Sequence, residues 1–304
     1  MIKVENLSKS FGAIKALDNI SFEIPKGKIT IFAGADGAGK STLFKILIGL
    51  LKKDKGKIFV DGEISENNSE KLRKIAGYMP ERFSLYQDLT VEENFDFFGE
   101  VYGVEKPRKK EMKKTLLEKT GMAAFRKRRA GALSGGMKQK LALSTILLSS
   151  PELIILDEPT TGVDSLSRIE FFNIIEELKN EGRTILISTP YLDEAEKGGF
   201  VVLMKGGKIL KQQELKELKE SFTPKLFRLT PSENIFKIMK KLVKDSNIRE
   251  KFYIRGNFIH YLHTGEKDFS VYIPHSESIE IPPKLEDIYI YYERIFKGKE
   301  GDIN

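Results

Sequence analysis

The stretch Gly34-Ala35-Asp36-Gly37-Ala38-Gly39-Lys40-Ser41-Thr42 constrains this chain more than any other. It fits the pattern G-x-x-x-x-G-K-[ST]. A short β-rich run, Ile29 to Ala33, leads into it, and a helix-like segment, Ser41 to Leu51, follows directly. Glycines let backbone N–H groups come close to phosphate oxygens. A helix that opens at the loop adds the positive end of its dipole. Lys40 is then placed to reach the outer phosphates, and the Ser41 hydroxyl is a hard oxygen suited to Mg²⁺. The competing reading is a plain glycine-rich turn. The strand before it and the helix after it argue against that.

The chain of 304 residues suits one large domain or two to three smaller ones, and 40% apolar residues suffice for a core. It has no cysteine, which removes disulfides and thiolate metal sites and fits a reducing compartment. Met1 to Lys9 lacks the apolar core of a signal peptide. The longest apolar stretch, Leu141 to Leu156, is broken by Ser144, Ser149, Ser150, Pro151 and Glu152. A spanning helix needs about 20 mostly apolar residues. Any membrane role therefore requires a separate subunit, and a cytoplasmic location, peripheral on the inner face of the cell membrane, is expected.

The pattern along the chain is mixed α/β. Lys57 to Val60 with Asp61-Gly62 reads as a strand and turn. Leu153 to Leu156 and Thr184 to Ser188 read as strands buried on both faces. Phe171, Ile174, Ile175 and Leu178 have the spacing of an amphipathic helix. Val201 to Met204 and Lys208 to Leu210 flank Gly206-Gly207 as a hairpin. Between about residues 87 and 150 the character turns helical and basic, which predicts an inserted helical subdomain. After about Glu220 it changes again. Leu226 to Leu229 predicts a strand, and Ile235, Ile238, Met239 and Leu242 mark a helix. Phe252 to Leu262 predicts a hairpin, Phe269, Val271 and Ile273 a strand, and Leu285 to Phe296 a closing helix. The expected division is 1–220 for the main domain and 221–304 for a small α+β domain.

Two further motifs carry chemistry. Leu153-Ile154-Ile155-Leu156 delivers Asp157 and Glu158 to a strand's end, about 120 residues beyond the glycine loop. Asp157 can hold Mg²⁺, and Glu158 can orient and polarise an attacking water. Leu133-Ser134-Gly135-Gly136-Met137-Lys138-Gln139 places open N–H groups at another helix start, a second anion cradle or an ordinary helix cap.

The three motifs in this order resemble the nucleotide-binding subunit of ABC transporters, over roughly Met1 to Leu215. The resemblance implies a RecA-like P-loop NTPase core with an antiparallel β part, ATP and Mg²⁺ as cofactors, and ATPase activity. It makes Gly34 to Thr42 the Walker A motif, Leu153 to Glu158 Walker B, and Leu133 to Gln139 the signature. Asp164 falls in the D-loop, and Phe11 falls where an aromatic stacks on adenine. It further implies that two such cassettes pair head to tail, as a homodimer or with another cassette, so that Ser134, Gly135, Gly136 and Gln139 meet the partner's ATP. A membrane permease would be the other partner. The segment Tyr86 to Asn94 and the appended domain are similar to the drug- and lipid-exporter branch. A soluble ATPase acting on ribosomes or nucleic acid, and a weakly hydrolysing regulatory partner, are the alternatives.

Four positions depart from the family pattern. Glu81 stands in place of a glutamine, Asp36 in place of a P-loop asparagine, and Ser165 in place of a proline. Pro190 stands where the switch histidine belongs, and proline has neither a side-chain donor nor an N–H. His260 and His263, an odd number apart on a strand, point to opposite faces and predict no metal site. Eleven Lys or Arg against three Glu between Glu105 and Ala130 more than account for the net charge of +7. A solvated helix face, contact with acidic lipid head groups or the permease, and nucleic-acid binding are the readings of that run. No recognition motif accompanies the charge, so no specific nucleic acid is expected.

Overall fold

A computed structural model describes residues 2–64, 70–82, 85–230, 234–242, 251–264 and 277–301, without the side chains of 70, 71 and 295 onward. The chain divides into two compact units, Met1–Gln212 and Gln213–Asn304.

In the first unit, β1 (Ile2–Phe11) and β2 (Ile14–Ile24) form an antiparallel hairpin. β3 (Ile29–Ala33) runs through the glycine loop into α1 (Lys40–Leu47). This helix is shorter than the expected Ser41 to Leu51. Gly49, at φ +73°, turns the chain so that its N–H donates to Ile46 O at 3.0 Å and that of Leu50 to Lys45 O at 2.8 Å. Those bonds use up the last helical carbonyls and end the helix. β4 (Lys55–Val60) and β5 (Glu63–Ile64) return beside β1 to complete a sheet of order β2-β1-β4-β5.

After α2 (Glu70–Ile75) and β6 (Ala76–Met79) comes a helical stretch of α3 (Val91–Val101), α4 (Lys106–Lys119) and α5 (Gly135–Leu147). α3 opens on a reciprocal cap between Thr90 and Glu93. α4 has little apolar face and is fastened to α3 by charge. Lys109 lies 3.3 Å from Glu100, and Lys113 lies 3.1 Å from Glu92 and 3.0 Å from Asp96. Lys119 pairs with Glu181. Part of the basic run is thus internal wiring, whereas Arg126, Lys127, Arg128 and Arg129 are exposed.

β7 (Leu153–Asp157), α6 (Ser165–Asn180), β8 (Thr184–Thr189), α7 (Leu192–Ala195), β9 (Phe200–Lys205) and β10 (Lys208–Glu214) follow. The second sheet has the order β10-β9-β3-β8-β7-β6. Its pairings from β9 through β3, β8 and β7 to β6 are parallel. Every residue of β3, β7 and β8 is buried, as their continuous apolar sequences require. The core lies between the two sheets, where Phe22, Phe32 and Phe44 meet edge to face at 5.4 and 5.3 Å.

The second unit contains α8 (Leu215–Glu220), β11 (Lys225–Thr230), α9 (Ile235–Leu242), β12 (Phe252–Arg255), β13 (Phe258–His263), β14 (Glu277–Ile281) and α10 (Leu285–Gly301). The sheet is antiparallel in the order β12-β13-β11-β14. α9 packs Ile238 and Leu242 against Leu229, Phe252 and Ile259, while Tyr253, Leu226 and Leu262 meet Ile290 and Tyr291 of α10. The strand expected at Phe269, Val271 and Ile273 lies outside the described residues. β14, largely exposed, was not legible because its sequence does not alternate clearly between polar and apolar.

Candidate nucleotide-binding site

The glycine loop joins the end of β3 to α1. Its last glycine, Gly39, has φ +99°, and a Cβ there would lie 2.4 Å from Ala16 O. Only glycine fits both the backbone and the space. No side chain caps α1, so the N–H groups of its first turn have no partner within the helix. Such a helix start is suited to an anion, with Gly37 and Asp36 exposed at the rim. Lys40 is 3% exposed, and its ammonium donates to Gly34 O at 2.8 Å and Ala35 O at 3.2 Å.

β7 lies two strands from β3, with β8 between them, and delivers the acidic pair to the same place. The Ser41 hydroxyl donates to Asp157 Oδ1 at 2.9 Å. Glu158 Oε1 lies 3.2 Å from Lys40 Nζ. Walker A and Walker B residues are therefore in direct contact. The oxygens of Ser41 and Asp157 are hard donors side by side, a set that suits Mg²⁺ completed by phosphate and water oxygens. The uncapped α1 start and Lys40 suit the phosphates themselves. The residues fit ATP with Mg²⁺ on both counts.

Three contacts here carry no signal in the sequence. The Ser188 hydroxyl donates to Asp157 Oδ1 at 2.6 Å and accepts the Glu158 N–H at 2.9 Å. Glu158 sits at φ +48°, a sparsely populated conformation for a residue with a side chain, and Ser188 holds it there. Tyr78, from β6, donates its hydroxyl to Asp157 Oδ2 at 3.3 Å. Burial, reinforced by the Asp157 charge, pushes the Tyr78 phenol well above its ordinary value, so it stays protonated and able to donate.

The signature segment lies at the start of α5. Ser134 caps that helix, accepting the Met137 N–H at 3.4 Å. A Cβ on Gly136 would lie 2.4 Å from Ser167 Cβ, so packing against α6 requires glycine here. Gln139 Oε1 is buried without a hydrogen-bond partner. Asp164 caps α6, accepting the Ser167 N–H at 3.0 Å, and that bond holds its carboxyl below the usual range. Ser165 begins the helix, where a proline would also be tolerated. Phe11, at the end of β1, is 50% exposed with the Lys9 ammonium 5.5 Å from its ring centre. Glu81 is exposed beyond β6, and Pro190 is half-buried immediately after β8. His260 is 3% exposed and His263 half-buried on β13.

A parallel run of strands, a glycine loop entering a helix, and a carboxylate pair at the end of the strand two places away define the core of a P-loop fold. Residues 17–161 match the family described as ABC transporter. The chain is 41% identical over 247 residues to "Probable multidrug ABC transporter ATP-binding protein YbhF" of Escherichia coli (strain K12), covering 80% of this chain and 43% of that protein. It is 40% identical over 215 residues to "Lantibiotic transport ATP-binding protein SrtF" of Streptococcus pyogenes, covering 70% of this chain and 91% of that one. Among solved structures, a nucleotide-free ATP-binding cassette from an ABC transporter superposes with TM-score 0.65 at 28% identity, over 72% of this chain and 94% of that one. The dimeric bacterial cassette MJ0796 superposes with TM-score 0.64 at 25% identity, over 71% and 99%. The chain belongs to the ABC transporter family. It spans less than half the length of the YbhF protein.

Proposed function

We propose that this chain hydrolyses ATP to drive a separate membrane permease, in an exporter. The observation that carries the proposal is the meeting of Ser41 and Lys40 with Asp157 and Glu158, at 2.9 and 3.2 Å. Lys40 and the α1 N–H groups bind the phosphates. Ser41 and Asp157 hold Mg²⁺, which when bound draws charge from the phosphate oxygens. Glu158 leaves Lys40 for the attacking water and accepts its proton. Phe11, half-exposed, stacks on the adenine. Ser134, Gly135 and Gly136 of a second cassette complete the site from the far side of the nucleotide.

Transport coupling is supported by the relatives, whose names speak of multidrug and lantibiotic transport and Nod factor export. Among the described residues no helix is long and apolar enough to cross a membrane, which is compatible with a permease on another chain. Tyr86 and Tyr102, 49% and 40% exposed, cluster with Phe97 and Phe98 into an aromatic surface suited to an apolar partner element. The exposed Arg126 to Arg129 run supports contact with acidic lipid head groups on the cytoplasmic face. The C-terminal unit is an accessory domain. Pro190 makes slow turnover part of the proposal, because a proline at that position offers no imidazole to the γ-phosphate.

Glu158→Gln tests the reading. It keeps the shape and removes the base, so hydrolysis should fall about 10²- to 10⁴-fold while ATP binding persists and an ATP-bound dimer accumulates on gel filtration. Hydrolysis at the wild-type rate would remove Glu158 from the chemistry.

A further inference from the structure

The segment around Pro190 lacks its histidine, yet it is heavily tied down. Glu194, in α7, is 2% exposed. It accepts the Thr160 hydroxyl at 2.6 Å on one oxygen and the Thr189 hydroxyl at 2.5 Å on the other. Arg168 Nε lies 3.2 Å away, at ion-pair distance but without a well-aligned hydrogen bond. The partners come from three places that matter to the reaction. Thr160 lies two residues beyond Glu158, and Thr161 beside it donates to Glu158 Oε2 at 3.3 Å. Thr189 adjoins Pro190, its carbonyl accepts the Gly34 N–H of the phosphate loop at 3.3 Å, and its hydroxyl accepts the Tyr191 N–H at 3.0 Å. Arg168 lies near the start of α6, behind Asp164, and its guanidinium covers the Tyr191 ring at 4.8 Å.

We infer that Glu194 is a positioning residue for ATP hydrolysis: it fixes the Glu158 loop, the phosphate loop, the Pro190 segment and the head of α6 in one register. The inference rests on the reading of Glu158 as the base. A buried carboxylate that accepts from separate segments makes their spacing interdependent, because moving any one leaves a desolvated charge or hydroxyl unpaired. Burial raises the Glu194 pKa, and Thr160, Thr189 and Arg168 offset only part of that. In a cassette whose residue 190 cannot touch the γ-phosphate, aim depends all the more on this junction.

The test compares Glu194→Ala, Glu194→Gln, Thr160→Val and Thr189→Val with the wild-type chain. Single-turnover hydrolysis at saturating Mg-ATP, ATP affinity and melting temperature are measured for each. Glu194→Ala should lower the hydrolysis rate about 10- to 100-fold, the scale of a small misplacement of reacting groups. ATP affinity should stay within about twofold, the signature of an effect confined to the chemical step. Glu194→Gln, which keeps an acceptor and the side-chain length, should recover most of the rate, and each valine variant should lose part of it. A wild-type rate in Glu194→Ala overturns the inference. So does a parallel fall of rate, affinity and melting temperature that glutamine does not rescue. If Glu194→Ala fails to fold, unchanged rates in both valine variants overturn it. Glu158→Gln run alongside separates the two ideas: a wild-type rate there sinks the base assignment, whereas a Glu158→Gln loss beside normal Glu194 variants sinks only the positioning role.

Discussion

Asp287 in the C-terminal unit and Glu194 in the N-terminal unit are both shut away from water, at 0% and 2% exposure, and their surroundings treat them in opposite ways. Asp287 accepts the Tyr253 hydroxyl and the Lys284 N–H, the latter at 2.7 Å. Arg255 lies at 3.3 Å and the His260 ring at 3.6 Å. Burial alone would raise its pKa, but His260, Tyr253, the Lys284 N–H and Arg255 outweigh burial and hold it below the usual value. At Glu194 burial wins. The charge on Asp287 is thus better stabilised in the folded protein than in the unfolded chain, and it ties α10 to β12 and β13. The charge on Glu194 is worse stabilised. One unit uses a buried carboxylate as a fastening for the fold; the other uses one to join the segments around its candidate site.

Breaking the fastening should give the largest change in stability. Asp287→Ala leaves the Tyr253 hydroxyl and the Lys284 N–H without their acceptor, and Arg255 with Glu286 alone, and should destabilise the C-terminal unit by about 3–5 kcal/mol, measured by denaturant unfolding. ATP affinity should not change. The pH dependences should differ in sign as well. A depressed Asp287 contributes stability that is complete above its unfolded value near pH 4 and is lost as pH falls through the folded value. A raised Glu194 contributes in the other sense, its share being present at low pH and lost as pH rises through the folded value. The gap in stability between wild type and Asp287→Ala should therefore start to close as pH falls below about 4 and vanish only once pH is below the lower folded value, where Asp287 is protonated in both states. A constant gap between the two at all pH values would show that packing, not charge, fastens α10.

The converse experiment strikes the N-terminal unit. Lys40→Ala removes a charge-assisted phosphate contact and should weaken ATP binding by about 1.5–3 kcal/mol, read by calorimetry. It also leaves Glu158 without its partner at 3.2 Å. The unfolding of the C-terminal unit should be untouched. Unchanged ATP affinity would break the P-loop assignment. The smallest effect belongs to Asp36, an exposed carboxylate on the rim of the phosphate loop. Asp36→Asn should tighten ATP by up to about 1 kcal/mol, the scale of a like-charge contact in water, and salt should shrink the gain. No gain at low salt would mean that Asp36 faces away from the phosphates.

Much of the site was legible without coordinates, for a physical reason. The phosphate loop and the cap at Ser134 are local devices, whose bonds run between residues a few positions apart, whereas the cap that Asp164 makes on α6 was not read from the sequence. Leu153 to Leu156 could be read as a strand buried on both faces because its apolar run has no polar alternation, and the strand runs one residue further, to Asp157. His260 and His263 on one strand, one buried and one half-buried, follow from the same two-residue period. The end of α1 was misjudged because apolar residues continue past Gly49, while the turn at that glycine had already closed the helix. What only the tertiary structure decided is who meets whom at the strand ends. Ser188 reaches Asp157 because β8 is the parallel neighbour of β7, and Tyr78 reaches it because β6 is the other. Gly136 answers to Ser167, and Glu194 gathers Thr160, Thr189 and Arg168. Hydrophobic period encodes which face of a strand is buried, but not which strand lies beside it. That order is set by how the whole sheet packs, and these contacts are its consequence.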